Sequence, residues 1–532
     1  MKLYFYGADQ CVTGSCHCVE VGGKHILIDC GLQQGQDEID NASLPFAPGS
    51  IDYVLVTHAH IDHSGRLPML VKNGFHGRIF TTRLTAELLK IMLQDSAHIQ
   101  QSDAAYQNRK NQRAGKAEVE PLYTVEDALH TMDFIDCCEY EQEIQICPEV
   151  KATFIDAGHL LGSASIRLEL TENGESRTLV FSGDIGNVDQ PIIRDPQFFS
   201  QADYVIMEST YGDRNHTEVW SYTDELAAII DETLGRGGNV VIPSFAVGRT
   251  QELLYFIREI KDRGLVKSVP DFPLYVDSPL AKAATTIFCG DLRGYLDEAA
   301  MELVKDGEAM FSFPNLHLTE TTEESKALNE NAMPKVILSA SGMCDAGRIR
   351  HHLKYNLWRR ESAVVFVGFQ SPGTLGRALL DGQEKIKLFG EEIAVRAKIV
   401  NFQGLSSHAD HDHLLHWIDQ FSQKPAHVFV VHGDREVAPY FAKLLTEKGY
   451  RAHAPQYTEA FDLLQGVQTE KGYLPERKKA AFSVRKKSAA YTRLLEACDM
   501  LVSLVRRSSG RDNKTLADFA DALRKIIEKF EF

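Results

Sequence analysis

The sequence predicts an α/β protein in which one domain is interrupted by a second, with a helical extension at the end. Three observations carry this. Short apolar runs ending in a polar residue recur through residues 1–210. The same strand-then-histidine pattern returns in residues 388–462. Between them, residues 211–387 follow another rhythm, with longer helical stretches between strands, and residues 463–532 form a basic linker and helical tail.

In the first segment, Met1-Lys2-Leu3-Tyr4-Phe5-Tyr6 passes at once to Gly7-Ala8-Asp9. It lacks a signal-peptide core and cleavage site and reads as a first strand. Residues 25–28 precede Asp29-Cys30-Gly31, 51–56 precede a histidine cluster, and 153–155 precede Asp156-Ala157-Gly158-His159. Residues 178–181 run into Ser182-Gly183-Asp184, and 204–207 into Glu208-Ser209-Thr210. Sites collect at such strand ends because loops converge there. An Asp after a strand is also a common helix cap or Asx-turn, so position alone assigns Asp184 no role. The polar stretch 98–121 reads as an exposed helical excursion with a loop.

In the insert, residues 223–234 show helical spacing, and a helix at 249–261 follows a strand at 239–242. Residues 336–338 lead into Ser339-Ala340-Ser341-Gly342-Met343, and 364–367 into Gly368-Phe369-Gln370. Such small-residue turns offer backbone N–H groups to phosphate. The stretch Ser371-Pro372-Gly373-Thr374-Leu375-Gly376-Arg377 adds a cation. Ser341, Gly373 and Thr374 are therefore candidate phosphate contacts, with Ser407 a further one in the third segment.

In that segment residues 399–402 precede Ser406-Ser407-His408-Ala409-Asp410-His411, and 428–431 precede His432-Gly433-Asp434. Asp410-His411-Asp412-His413 reads as the start of a helix at 414–421, because acids suit a helix N-terminus. His411, His413 and His416 are accordingly left out of the site. The tail carries two basic clusters, Arg477-Lys478-Lys479 and Arg485-Lys486-Lys487. Two amphipathic faces follow, one from Tyr491 to Val505 and one from Leu516 to Phe530. Each must bury a stripe, on the body or in a homodimer.

Hydrophobic content of 44% and charged content of 25% are those of an ordinary globular chain. No stretch of about eighteen apolar residues marks a membrane span. The ten cysteines are scattered, which fits a reducing cytosol and a cytoplasmic location. Cys11, Cys16 and Cys18 approach metal spacing, yet their neighbours read as a turn entering a strand. A net charge of −17 weighs against indiscriminate nucleic-acid binding. Bound dications and a local basic groove would still draw phosphate.

The densest chemistry is Thr57-His58-Ala59-His60-Ile61-Asp62-His63, three imidazoles and one carboxylate within six positions. Imidazole and carboxylate suit zinc, iron or manganese. The alternation of His58 and His60, followed by adjacent Asp62 and His63, points to two neighbouring centres.

With these motifs placed, residues 1–462 resemble the metallo-β-lactamase superfamily, and within it the β-CASP branch of RNA-processing nucleases. These include bacterial and archaeal relatives of the eukaryotic cleavage-and-polyadenylation endonuclease. His58-x-His60-x-Asp62-His63, His159, Asp184 and the early Asp29 match the superfamily pattern. Glu208 in Glu208-Ser209-Thr210-Tyr211-Gly212, His408 in Ser407-His408-Ala409 and His432 in Val431-His432-Gly433 match the branch. The resemblance implies an αββα sandwich interrupted by an α/β β-CASP domain, with the tail as a helical C-terminal extension.

It also implies two zinc ions per chain. His58, His60 and His159 would hold one, Asp62, His63 and His432 the other, and Asp184 would bridge them. His408, oriented by Glu208, would protonate the leaving ribose oxygen. Asp29 would orient a ligating histidine. The implied activity is hydrolysis of phosphodiester bonds in single-stranded RNA. Two other readings compete. A small-molecule metallo-hydrolase would need neither the insert nor Glu208, His408 and His432 as a set. A binding subunit without catalysis would be expected to lack several of these residues.

Overall fold

A computed structural model describes residues 1–35, 38–216, 221–305, 310–371, 373–402, 405–476, 501, 504–505 and 512–530. Met1–Phe482 forms one compact unit and Ser483–Phe532 another. Both basic clusters of the tail, and its first amphipathic face apart from Leu501, Leu504 and Val505, lie outside the described residues, as does Pro372. In the second unit the helix Asn513–Phe530 carries the second face, with Leu516, Phe519 and Leu523 half-buried and Ile526 exposed. No helix among the described residues is long and apolar enough to cross a membrane.

Among the described residues the first unit has three large sheets and a two-stranded ribbon, Lys385–Leu388 with Glu391–Ala394. One has eight strands, in the order Val467–Glu470, Ala460–Asp462, Lys2–Phe5, His17–Val21, Lys24–Ile28, Tyr53–Leu55, Arg78–Thr82 and Ile135–Cys138. A second has seven, in the order Ala452–His453, His427–Val430, Tyr204–Met207, Glu175–Phe181, Ala164–Glu172, Val150–Asp156 and Glu143–Cys147. These two pack face to face. Leu3, Phe5, Val19, Ile26 and Ile28 from one meet Phe154, Ile166, Leu168, Phe181, Ile206 and Phe429 from the other. Helices cover the outer faces. Leu67, Leu70, Leu84 and Leu88 pack on Val54 and Val56, while Leu414, Trp417, Phe441 and Leu445 pack on Val180, Val205 and Val428. The result is an αββα sandwich.

The third sheet is wholly parallel, in the order Leu316–Leu318, Leu274–Val276, Val336–Ser339, Val240–Pro243, Ala363–Phe366 and Lys398–Asn401. Val336–Ser339, Val240–Pro243 and Ala363–Phe366 are buried at every residue, as a parallel sheet covered on both faces requires. The chain enters this sheet after Tyr204–Met207. It then returns to lay His427–Val430 beside that strand, in parallel, with Tyr204 opposite His427. The α/β insert thus loops out between two neighbouring strands of the sandwich.

Some elements differ from expectation. Lys398–Asn401 falls after the boundary at 387, yet pairs with Ala363–Phe366 and belongs to the inserted sheet. The eight-stranded sheet runs past 462, because Val467–Glu470 adds an edge strand to Ala460–Asp462. The exposed helical excursion with a loop expected at 98–121 is present, but its helical part continues a longer helix, Arg83–Ala114, stopped by Gly115 at φ 63°. The helix expected at 414 begins at His411, where the Asp410 carboxylate accepts from the His413 N–H.

Candidate metal centre

The strand ends of both sandwich sheets converge on one point. After Tyr53–Leu55 comes a turn into the short helix Ile61–Ser64, which sets His58, His60, Asp62 and His63 on successive bends. His159 follows Val150–Asp156, Asp184 follows Glu175–Phe181, and His432 follows His427–Val430. His58, His60, His159 and Asp184 form one group of possible ligands, and Asp62, His63 and His432 another.

Asp184 touches both groups. Its Oδ2 lies 3.5 Å from His58 Nε2 and 3.4 Å from His159 Nε2. Its Oδ1 lies 3.2 Å from His63 Nε2 and 3.6 Å from His432 Nδ1. In the first group His60 Nδ1 is 3.1 Å from both His58 Nε2 and His159 Nε2. In the second, His432 Nε2 is 3.6 Å from Asp62 Oδ2. One carboxylate therefore presents an oxygen to each side.

Ring nitrogens of four of these histidines are also held by the surrounding chain. His63 Nδ1 pairs with Asp29 Oδ2 at 2.7 Å, and Asp29 also accepts from the Thr57 N–H, the Thr57 hydroxyl and the Ser15 hydroxyl. His159 Nδ1 pairs with the Ser407 carbonyl at 3.0 Å. His58 Nδ1 lies 3.1 Å from Thr57 Oγ1, and His432 Nδ1 3.1 Å from Thr210 Oγ1. Such contacts fix ring orientation and tautomer. Glu208, fully buried, accepts from the Ile185 N–H at 2.8 Å and the Thr210 N–H at 3.1 Å. Its Oε1 is 3.0 Å from His408 Nδ1. His408 Nε2 then faces the cluster, 4.0 Å from Asp184 Oδ2.

Burial pushes the pKa of His58 and His159 far down, and that of His60 down. All three are neutral imidazoles able to donate a lone pair. Burial opposes the charge on Asp62 and Asp184, but neighbouring histidines outweigh it, holding Asp62 at about 2 and Asp184 well below the usual carboxylate range. His408 behaves oppositely. Burial lowers its pKa, yet the charges of Glu208 and Asp184 raise it to about 9. His63 Nε2, Asp184 Oδ1 and His432 Nε2 are buried with no hydrogen-bond partner. Such orphans need an explanation, and a cation between them supplies one. The donor set, imidazole nitrogen and carboxylate oxygen, fits a divalent metal.

Family models match the chain in three places. The metallo-beta-lactamase superfamily matches residues 10–128, the Beta-Casp domain 250–379, and a "Zn-dependent metallo-hydrolase RNA specificity domain" 392–455. A ribonuclease from Thermus thermophilus is 36% identical over 460 residues, covering 86% of this chain and 99% of that one. An RNase J-like protein from Methanocaldococcus jannaschii is 31% identical, covering 83% and 94%. The transcription termination factor FttA of Methanosarcina mazei is 30% identical, covering 84% and 69%. The chain belongs to the β-CASP branch of the metallo-β-lactamase superfamily. It is a metal-dependent hydrolase of that nuclease branch, and the Beta-Casp match takes in four of the six strands of the parallel sheet.

In this β-CASP chain His58, His60, Asp62, His63, His159, Asp184, Glu208, His408 and His432 meet in one place, and Asp29 stands behind His63. Ser407 joins through its carbonyl. Ser341, Gly373 and Thr374 lie at strand ends of the β-CASP sheet, with no bond to the cluster among the described residues. The Thr374 hydroxyl caps the helix Leu375–Leu380, and the Ser341 hydroxyl turns to the Ala346 carbonyl. His411 Nδ1 bonds the Gly212 carbonyl, away from the centre. Sequence reasoning missed Thr57, Thr210 and His216, whose Nε2 lies 2.9 Å from the His408 carbonyl. Thr57 and Thr210 abut named motifs, which is their only signal.

Proposed function

We propose that the chain is a zinc-dependent ribonuclease that hydrolyses phosphodiester bonds of single-stranded RNA, holding two zinc ions. The observation that carries this reading is the Glu208–His408 pair at the rim of the cluster. A thioester expels a thiolate that needs no such proton donor, whereas a leaving ribose oxygen gains from one. The relatives named as ribonuclease and RNase J-like, and the RNA specificity model over residues 392–455, support RNA as the substrate.

His58, His60 and His159 would hold one ion and Asp62, His63 and His432 the other, with Asp184 offering one oxygen to each group. The two dications would supply hydroxide at neutral pH and offset charge gathering on the phosphoryl group. The rest falls to the chain. Glu208 accepts the Nδ1–H of His408 and favours the imidazolium, so Nε2–H is the proton given to the leaving oxygen. His216 pins the His408 backbone. Asp29 and the Ser407 carbonyl keep His63 and His159 in one orientation. Ser341, Gly373, Thr374 and Ser407 contact phosphates of the bound strand. The sandwich is formed by residues 1–210 together with the segment after the insert. All cysteines among the described residues are free thiols, which suits a cytoplasmic enzyme.

The test compares turnover of end-labelled RNA with that of thioesters, lactones and small phosphodiesters by the purified protein. The reading expects RNA to be cut far faster than any small ester. Preferred turnover of a small ester would replace it.

A further inference from the structure

Two exposed phenylalanines at the carboxyl edge of the β-CASP sheet serve neither the metal cluster nor the core. Phe245 follows the strand Val240–Pro243, and Phe369 follows its parallel neighbour Ala363–Phe366. They are 44% and 37% exposed. Gly342, at the end of the adjoining strand Val336–Ser339, lies under Phe245, and a Cβ there would come within 3.2 Å of the ring. The Gly342 carbonyl accepts from Gln370 Nε2, which follows Phe369, at 3.0 Å. Three adjacent strand ends thus form one edge, the place where open parallel sheets take their ligands.

This edge runs toward the reaction centre. The Phe369 ring lies 6.2 Å from the Tyr211 ring, and Tyr211 lies 6.4 Å from His408. The Arg214 guanidinium carbon sits 4.6 Å from the Tyr211 centroid and 5.9 Å from the Phe369 centroid. On the other flank the Phe245–Gly248 turn reaches the His159 loop, for Gly248 abuts the Leu160 side chain. A lone exposed Phe means little. Two of them, one in contact with a planar cation and a ring that touches the proton donor, form a surface for flat aromatic groups. The chain's net charge of −17 also makes a purely ionic grip on a polyanion costly. Stacking does not depend on that charge.

We propose that Phe369, flanked by Arg214 and Tyr211, together with Phe245, is a stacking platform for unpaired nucleobases beside the bond that is cut. Phe369 takes the base nearest the scissile phosphate. This deepens the ribonuclease reading and rests on it. A duplex hides the faces of its bases within its own stack, so the platform accepts single strands. Every base has a π-face, so it does so with little sequence preference.

The experiment measures kcat and KM for Phe369→Ala, Phe369→Tyr and Phe245→Ala on a single-stranded RNA and on the same RNA with an abasic residue beside the cleaved bond. On intact RNA, Phe369→Ala and Phe245→Ala should each lose about ten-fold in kcat/KM, mostly through KM, while Phe369→Tyr stays near wild type. The abasic substrate should bring the wild type down to the level of Phe369→Ala, and that variant should lose nothing further. Wild-type kcat/KM in both alanine variants, or equal further losses on abasic RNA, would overturn the platform alone. A wild type that cuts no RNA would overturn the platform and the ribonuclease reading together.

Discussion

Glu208 Oε1 lies 3.0 Å from His408 Nδ1, across 200 positions of chain. The carboxylate is fully buried and tied down by two backbone N–H groups, which fix its Oε1 against the Nδ1 edge of the imidazole. That contact joins a residue just before the β-CASP insert to the first histidine after it.

The pair sets a pH limit. With Glu208 and Asp184 beside it, His408 keeps its proton up to about pH 9, and bound dications draw that limit down. A general acid works below its pKa, so activity is present on the acid side and lost as pH rises. Glu208→Gln removes the largest of the raising charges. The alkaline limb of kcat should then move about 1–3 units toward acid, with little change in metal content. An unmoved limb would remove Glu208 from this role.

Asp184 faces both ligand groups, one oxygen to each. Asp184→Asn should therefore lower metal content in both, from two ions toward one or none after dialysis, with loss of cleavage. Stripping the wild type with a chelator should also lower its thermal stability. Free metal at 100–1,000 times Kd stabilises the folded state by about 3–4 kcal/mol. Metal analysis beside a melting curve checks both, and an Asp184→Asn protein retaining two ions would contradict the shared arrangement.

Thr57 is buried, and its N–H and hydroxyl both reach Asp29 while Oγ1 lies 3.1 Å from His58 Nδ1. Thr57→Val keeps the shape and deletes the hydroxyl. Expected are a 10–100-fold loss of metal affinity, roughly that of other supporting contacts, and about 1–3 kcal/mol of stability for the unsatisfied partners. Thr57→Ser should restore both, as measured by metal titration and denaturant unfolding.

The β-CASP domain has a polar anchor of its own. Asp277, fully buried, accepts from Ser325 and Thr319 and pairs with Arg348 and His352, both at 2.7 Å. Burial raises its pKa, but the bonds from His352, Ser325 and Thr319 outweigh this and take it well below the usual range. A depressed carboxylate stabilises the fold above its unfolded pKa of about 3.9, and this is lost as pH falls toward the folded value. Asp277→Asn should cost about 3 kcal/mol at neutral pH, and the gap from wild type should narrow below about pH 4. A gap independent of pH would show that charge is not what Asp277 contributes.

Much of this was legible in the sequence, for identifiable reasons. His58, His60, Asp62 and His63 lie in six positions, and each later member of the cluster follows an apolar run, so strand ends alone bring them together. Lys398–Asn401 was placed after the insert because an edge strand reads alike whichever sheet it joins. Only the polar outer half of Arg83–Ala114 was read as helical; its buried stripe ends at Ala97, and the change of composition there hid that one helix runs through both halves. Thr57, Thr210 and the Ser407 carbonyl were silent because a group that orients a ring needs only proximity. The Ser407 contact to His159 spans 248 positions.

The most direct test is single-turnover cleavage of one end-labelled single-stranded RNA by His408→Ala loaded with metal. The expected result is a full complement of bound zinc and a cleavage rate lower by about 100-fold or more, the usual contribution of a positioned general acid. His60→Ala should lose both zinc and cleavage. Wild-type cleavage by metal-loaded His408→Ala, or full nuclease activity in His60→Ala, would contradict the account.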